Sequence, residues 1–304
     1  MHWENSMKKI VLLLLVVISA SPLIVRVEAR DSAGAILHGQ GLLWKIEKKG
    51  LPTSYIFGTM HVSDVRVTQL PAVVERAFNQ SRQFGMEMLP TPRAMDIIAE
   101  ASYFQDGRNL KTVMKAGDFQ RLSQLMQDQF HLPEPVFNTL RPWAVLMLLS
   151  TPTQDMASEK VLDMVLYHRA KERGMDMYGL ETAQQQLAVM DGLTIDEQVW
   201  LLNQGVARFP KLAVNLQEMT ALYLQRNLAG VLALQQQQMD PESDIDDRLM
   251  YGLLDARNQL MVTRTDALLQ QGQLFIAIGA LHLPGETGVL HLLEQQGYTV
   301  SVMY

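Results

Sequence analysis

The chain has 304 residues, a formal charge of −6 and no cysteine. Its 26 Lys and Arg residues are scattered without forming a basic stripe, so nucleic-acid binding is not expected. The absence of cysteine excludes disulfides, thiolate nucleophiles and cysteine-based zinc or iron–sulfur sites, so any metal must be held by His, Asp or Glu. The expected partner is a peptide or small-molecule substrate, and the oligomeric state is left open.

The N-terminal residues have the pattern of a secretory signal. Two lysines precede an apolar run over residues 10–18, and three small residues follow it. We predict residues 1–29 to be a signal peptide, cleaved after Ala20 or Ala29, and the mature chain to be periplasmic or secreted. The alternative is an uncleaved segment that anchors the chain in the membrane, although the run is short for a spanning helix of about 20 residues.

Two short apolar stretches near opposite ends of the chain each lead to a glycine and, three residues later, to a histidine. The first covers residues 54–61 and ends at His61, and the second covers residues 274–282 and ends at His282. Both are typical of a strand that stops at the glycine. Ligands collect at the carboxyl ends of strands in open α/β sheets, so the two histidines are expected to converge on one site. The alternative is a pair of ordinary loop histidines.

A single carboxylate interrupts the short apolar segment 82–89, which we predict to be a strand. Glu87 in a buried strand would be costly unless it were paired, hydrogen-bonded or bound to a cation. The sequence therefore leaves two interpretations of Glu87 open, a metal site and a buried ion pair with an arginine such as Arg257.

The remaining patterns predict the order of elements. Residues 41–47 alternate between apolar and polar and form a hairpin with the strand that follows. From about residue 90 to 269 the spacing is helical, except for a short strand and a helix start within residues 174–182. We expect an α/β (α+β) fold with a central mixed sheet built from N- and C-terminal strands. Residues 30–304 are predicted to form one domain, with a mostly helical insert at about 90–269.

The motifs that bear on the family are residues 55–61, Glu87, residues 179–182, residues 257–258 and residues 279–286. In this order they resemble the TraB/GumN family, which includes the Tiki-type metalloproteases, and the resemblance extends from about residue 42 to residue 302. It implies an α/β fold similar to the erythromycin-esterase-like and haem-uptake ChaN-like proteins. For Tiki-type members it implies metal-dependent peptide hydrolysis by two Gly-x-x-His histidines and a glutamate, here His61, His282 and Glu87. The chain departs from the family at residues 88–90, where further acidic residues are common, and this leaves the substrate open.

Two neutral imidazoles and one carboxylate suit a divalent cation such as zinc, manganese or cobalt. Such a cation lowers the pKa of bound water towards about 7 and polarises a scissile carbonyl. His61 and His282 are then metal ligands, and Glu87 is either a third ligand or the general base.

Three further residues are candidates for contacts to the substrate or to the ligands. Arg257 and Asn258, at a predicted helix start, can orient Glu87 or bind a substrate carboxylate or oxyanion, and the alternative is an ordinary surface pair. Glu181 is either a further ligand or a first-turn residue favoured by the helix dipole, and we prefer the second interpretation.

Several enzyme classes lack their motifs in this chain. Neither a Gly-x-Ser-x-Gly elbow nor a Gly-x-Gly-x-x-Gly or P-loop motif occurs, so serine hydrolysis and nucleotide chemistry are not expected. We predict an extracytoplasmic metal-dependent hydrolase that acts as a peptidase. The alternative is a non-catalytic protein that holds haem or another ligand, with Tyr55 or Tyr178 near His61 as an axial donor.

Overall fold

A computed structural model describes residues 36–152, 159–237, 239–240 and 242–304. The predicted signal peptide at residues 1–29 lies outside the described residues. Within the described ranges, no helix is both long enough and apolar enough to cross a membrane.

Six strands form one mixed sheet in the order β4-β3-β5-β2-β1-β6. The strands are β1 (Leu43–Glu47), β2 (Ser54–Thr59), β3 (Gln83–Met86), β4 (Asp176–Gly179), β5 (Leu274–Gly279) and β6 (Thr299–Val302). Strands β4, β3, β5 and β2 are parallel, and β1 pairs antiparallel with both β2 and β6. The predicted α/β fold and the hairpin of β1 with β2 are therefore confirmed.

Strands β2 and β5 lie at the centre of the sheet and are buried along their whole length. Their runs of aromatic and branched residues suit a parallel strand that is covered on both faces. Phe275 of β5 contacts Phe57 of β2 and Phe78 of the neighbouring helix, with ring centroids 6.2 and 5.2 Å apart. The register aligns Thr59 with Gly279, so the two strands end side by side.

The helices connect and cover these strands. Within the described residues they are α1 (Val65–Thr68), α2 (Ala72–Gln80), α3 (Pro92–Ala101), α4 (Leu110–Val113), α5 (Ala116–Phe130), α6 (Glu134–Phe137), α7 (Pro142–Ser150), α8 (Leu162–Glu172), α9 (Ala183–Asp191), α10 (Ile195–Arg208), α11 (Leu212–Leu224), α12 (Leu228–Gln236), α13 (Asp244–Met250), α14 (Ala256–Leu269) and α15 (Val289–Gln295). A π-helical turn, Tyr251–Asp255, joins α13 to α14, and 3₁₀ turns lie at Phe209–Lys211 and Ala280–His282.

Two hydrophobic cores divide the helices between them. The first surrounds the sheet and includes buried residues of α2, α8, α11, α14 and α15. The second is made largely by helices, chiefly α3 to α7, α9 and α10, around side chains such as Trp143 and Phe137. The single domain with its helical insert stays a prediction; within the predicted insert, α8, α11 and α14 contribute to the first core and β4 to the sheet.

Candidate functional site

Three neighbouring parallel strands end at one edge of the sheet, and each delivers a candidate residue there. His61 follows β2 by two residues, and His282 is the last residue of the 3₁₀ turn that follows β5. Glu87 was expected inside its strand, but β3 stops at Met86, so Glu87 is the first residue of the following loop. A carboxylate placed just past the strand end can accept hydrogen bonds that a strand interior would not offer.

Gly58 allows the two histidine turns to approach each other. A Cβ atom at this position would lie 2.7 Å from Leu283 Cδ1 and 3.1 Å from Ala280 Cα. The second contact is with backbone, which moves less easily than a side chain, so any larger residue would push the β5 turn away from β2. Gly58, in the motif that ends at His61, therefore allows the turn that carries His282 to lie close to β2.

Arg257 is buried and pairs with two carboxylates. Its Nη2 donates to Glu87 Oε2 and to Glu181 Oε2, both at 2.6 Å, and its Nε donates to Glu181 Oε1 at 2.9 Å. Glu87 Oε1 accepts from the Gly279 backbone N–H at 2.7 Å. The interpretation of Arg257 as a surface residue is wrong, since only 4% of it is exposed. The ion pair of Glu87 with Arg257, which the sequence left open, is present.

Glu181 was expected in the first turn of a helix, but it lies outside that turn. The helix cap is Thr182, and the Glu181 side chain is buried against Arg257. A π-helical turn directly before α14 sets the position of Arg257, and such turns are frequent at functional sites. Two carboxylates and one guanidinium thus form a hydrogen-bonded cluster beside the end of β5.

Burial and charge act in opposite directions on this cluster. Burial raises the pKa of the Glu87 carboxyl, but Arg257, His282 and the Gly279 N–H outweigh it and hold that pKa at about 2. Burial also raises the pKa of Glu181, and Arg257 offsets this only in part because Glu87 adds repulsion. Arg257 has a raised pKa despite its burial, since both carboxylates stabilise its charge. Glu87 is therefore ionised at neutral pH.

Asn258 fixes the orientation and the tautomer of His282. The Asn258 Nδ2 donates to the Thr287 carbonyl at 2.9 Å, so its Oδ1 is the acceptor that faces His282 Nδ1 at 2.6 Å. His282 therefore donates from Nδ1 and keeps its lone pair on Nε2. Burial lowers the pKa of His282 to about 4, against the attraction of Glu87, so the ring is neutral at pH 7.

Asp163 fixes the orientation of His61 and the position of its Nδ1 proton. Its Oδ2 lies 3.0 Å from His61 Nδ1, and its Oδ1 accepts from the Thr59 hydroxyl at 2.5 Å. A carboxylate only accepts, so His61 also donates from Nδ1, and the neutral tautomer that this bond selects has its lone pair on Nε2. Asp163 was not predicted from the sequence; it stands in α8 among apolar neighbours over residues 161–166.

The free Nε2 atoms are the donors that a metal would require. Both are buried, and neither has a hydrogen-bond partner among the described residues. His282 Nε2 lies 3.7 Å from Glu87 Oε1, too far for a hydrogen bond. Two ligands of one tetrahedral zinc ion, each about 2.1 Å from it, would be about 3.4 Å apart. His282 and Glu87 therefore fit a shared cation, with His61 the next donor along the edge.

The side chains of His61, Glu87 and His282 nevertheless do not surround one common metal position. In the part of the chain that the structure describes, no group of three or more His, Asp or Glu side chains is arranged to hold a metal ion. The Glu87 oxygens are engaged by Arg257 and Gly279. The geometry thus supplies two adjacent donors and a third on the neighbouring strand end.

The tyrosines considered as haem donors are not placed beside His61. Tyr55 is near the start of β2, about 13 Å along the strand from Thr59, and its hydroxyl donates to Gln80. Tyr178 is on β4, which is three strands from β2 and therefore about 14 Å away. Neither tyrosine supports the haem-binding alternative.

The fold and this edge define the chain as an α/β protein with a histidine- and glutamate-based candidate site at the carboxyl ends of its parallel strands. The chain belongs to the TraB/PrgY/gumN family, whose family model matches residues 42–302. The resemblance found in the sequence is therefore confirmed. No solved structure matches the chain.

Curated relatives carry metalloprotease names. The chain is 26% identical to Metalloprotease TIKI2 of Danio rerio over 85% of its own length and 60% of the relative's. It is 26% identical to Metalloprotease TIKI1 of Homo sapiens over 85% and 61% of the two lengths, respectively. The corresponding values for Metalloprotease TIKI1 of Xenopus tropicalis are 25%, 90% and 64%. The chain thus spans about three fifths of these relatives, whose names suggest a metal-dependent protease at the level of the family.

Proposed function

We propose that this protein is a divalent-metal-dependent hydrolase of peptide bonds, with His61, Glu87 and His282 as the metal ligands. Zinc, manganese and cobalt are the candidate metals, because imidazole and carboxylate donors suit all three. The relatives named as metalloproteases support a peptide substrate. The mature chain acts in the periplasm or after secretion, or from the membrane if residues 1–29 are retained.

One observation carries this proposal. His282 Nε2 and Glu87 Oε1 are both acceptors, yet they face each other at 3.7 Å in a buried setting. Two acceptor atoms held this close repel each other, the low dielectric of the interior strengthens that repulsion, and a cation bound by both would replace it with attraction. Glu87 Oε1 already accepts from the Gly279 N–H, whereas His282 Nε2 has no partner among the described residues, so a cation shared with Glu87 would satisfy it.

Neighbouring side chains hold the proposed metal ligands in the protonation state that metal binding requires. Asp163 and Asn258 each hold a proton on the Nδ1 atom of one histidine, which leaves Nε2 free to bind. Arg257 keeps Glu87 ionised. A general base works best with a pKa near the working pH, so Glu87, with a pKa of about 2, is better suited as a ligand than as the base. A bound metal would lower the pKa of its water ligand towards about 7 and polarise the scissile carbonyl.

A hydrolysis assay tests the proposal. The purified protein, stripped of metal and reloaded with zinc, manganese or cobalt, is incubated with a mixture of unstructured peptides, and the products are identified by mass spectrometry. We expect cleavage with at least one of these metals and a loss of more than about 100-fold in Glu87→Gln. The matched control is Glu286→Gln, which changes an exposed glutamate four residues past His282 and should retain full activity.

Two outcomes would overturn the proposal. The first is the absence of any cleavage with all three metals by a protein whose thermal unfolding shows that it is folded. The second is equal cleavage by the wild type and Glu87→Gln.

A further inference from the structure

A small cavity lies against His61. It has a volume of about 80 Å³ and is lined by side chains from the ends of β2 and β5, from α7 and from α11 and α12. Its apolar walls are formed by Met60, Leu216, Met219, Val231, Ala280 and Leu281. Among the described residues, the lining contains no Asp, Glu, Lys or Arg, in contrast to the Glu87 cluster at the end of β3.

The four hydroxyl side chains of the lining are already satisfied within the protein, whereas His61 Nε2 has no partner among the described residues. The Tyr223 hydroxyl donates to the Gly58 carbonyl at 2.8 Å, and the Thr59 hydroxyl donates to Asp163. Ser150 and Thr151 donate to backbone carbonyls of their own helix, at 2.8 and 3.0 Å. An occupant would therefore find neither a charge nor a free hydroxyl in these side chains, and it would be held by apolar contact.

The size of the cavity limits its occupant. An apolar cavity of about 150 Å³ holds benzene. A volume of about 80 Å³ is roughly half of that. It suits an aliphatic side chain of three or four carbons, as in valine or leucine, better than an indole ring.

We infer that this cavity receives a branched aliphatic side chain of the peptide substrate, in a residue next to the bond that is cut. The inference rests on the proposed hydrolase function, because His61 belongs both to the cavity lining and to the proposed ligands. The ends of β2 and β5 contribute to both, so a side chain in the cavity would place its own backbone beside the ligands.

A binding experiment that needs no activity comes first. The metal-free protein is labelled with ¹³C at its methionine methyl groups and titrated with N-acetyl-L-leucinamide, N-acetyl-L-alaninamide or N-acetyl-L-lysinamide. We expect the leucine compound to shift the Met60 and Met219 signals, which are assigned from Leu variants, and the other two compounds to leave them unchanged. The Met190 signal, from the second core, is the internal control.

An activity experiment follows with peptides that differ only in one residue. We expect leucine to be preferred over alanine by at least about tenfold in kcat/KM, since one methylene in an apolar pocket is worth about 10- to 200-fold. Met219→Trp fills the cavity and should abolish the preference, whereas Met219→Leu should keep it. Val231→Phe is a second filling variant from another helix, in case Met219→Trp fails to fold.

The outcomes separate the two proposals. Shifts by the leucine compound without any cleavage support the cavity as a binding site and count against the hydrolase. Cleavage with equal rates for leucine and alanine, or methionine signals that respond equally to all three amides, would overturn the inference about the cavity.

Discussion

The two histidines at the sheet edge have contrasting surroundings. His282 is fully buried, its Nδ1–H is bound by the neutral amide of Asn258, and it lies beside the Glu87 carboxylate. His61 keeps 10% of its side chain exposed, and its Nδ1–H is bound by the carboxylate of Asp163. We call the first region, with Glu87, Glu181 and Arg257, the charged corner. The second region, made of His61, Asp163 and the adjoining cavity, is the apolar corner.

The two regions are expected to affect different properties, the stability of the fold in one and the binding of metal in the other. In the charged corner, opposite charges have been removed from water, so each depends on its partners for the fold to remain stable. In the apolar corner a single carboxylate accepts from one imidazole and fixes its orientation. Changes in the charged corner should therefore affect unfolding first, and changes in the apolar corner should affect metal binding first.

The largest expected effect comes from Arg257→Met. This change leaves Glu87 and Glu181 buried close together without a counter-charge. We expect the free energy of unfolding to fall by about 3–5 kcal/mol, as for other buried pairs that lose one partner. Urea denaturation of the metal-free protein measures this loss.

Arg169→Met is the matched control for that measurement. Arg169 also forms a two-pronged pair with a carboxylate, Glu75, but the two side chains are 31% and 36% exposed. Solvent screens such a pair, so we expect a loss of about 0–1 kcal/mol. Equal losses in the two variants would show that the charged corner is energetically no different from the surface.

A second, smaller effect should appear in the pH dependence of stability. The pKa of His282 is about 4 in the folded protein, below its ordinary value of 6.5, so the unfolded chain binds more protons between these values. Stability should therefore be complete above pH 6.5 and should fall as the pH drops towards 4. In metal-free His282→Gln this component should be missing, whereas His291→Gln, on α15, should keep the wild-type profile. Parallel profiles for wild type and His282→Gln would contradict the buried neutral state of His282.

The smallest effect on the fold, and the clearest on metal binding, is expected for Asp163→Asn. Loss of the carboxylate that orients a ligand histidine lowers metal affinity by about 10- to 100-fold. Isothermal titration calorimetry with zinc measures the change. Asp191→Asn, which alters a carboxylate bound to Arg141 and 51% exposed, should bind zinc as the wild type does. An unchanged affinity in Asp163→Asn would remove Asp163 from the site.

Some residues of the charged and apolar corners could be predicted from the sequence, and others could not. His61, His282 and Glu87 could be proposed because each stands out from a local pattern, a glycine turn or an apolar run. Asp163 has a similar local signal, an acid within the apolar residues 161–166, but a helix start offered an ordinary explanation for it. Its pairing with His61 joins residues 102 positions apart, and no local pattern encodes such a contact.

The fold also has features that local sequence predicts and features that depend on contacts between distant residues. The hairpin of β1 with β2 and the strands that carry the histidines follow from local composition. The pairing of β3 with β5 rather than with β2, its neighbour in sequence, depends on which apolar faces pack together. The burial of Glu181 has the same cause, because Arg257 reaches it from a helix that follows a π-helical turn.

Metal content decides whether His61 and His282 are metal ligands. Wild type, His61→Ala, His282→Ala and His291→Ala are dialysed against zinc, manganese or cobalt, and bound metal is counted by mass spectrometry. We predict about one ion per chain in the wild type and in His291→Ala, and a negligible amount in folded His61→Ala and His282→Ala. Equal metal content in all four proteins would contradict the account.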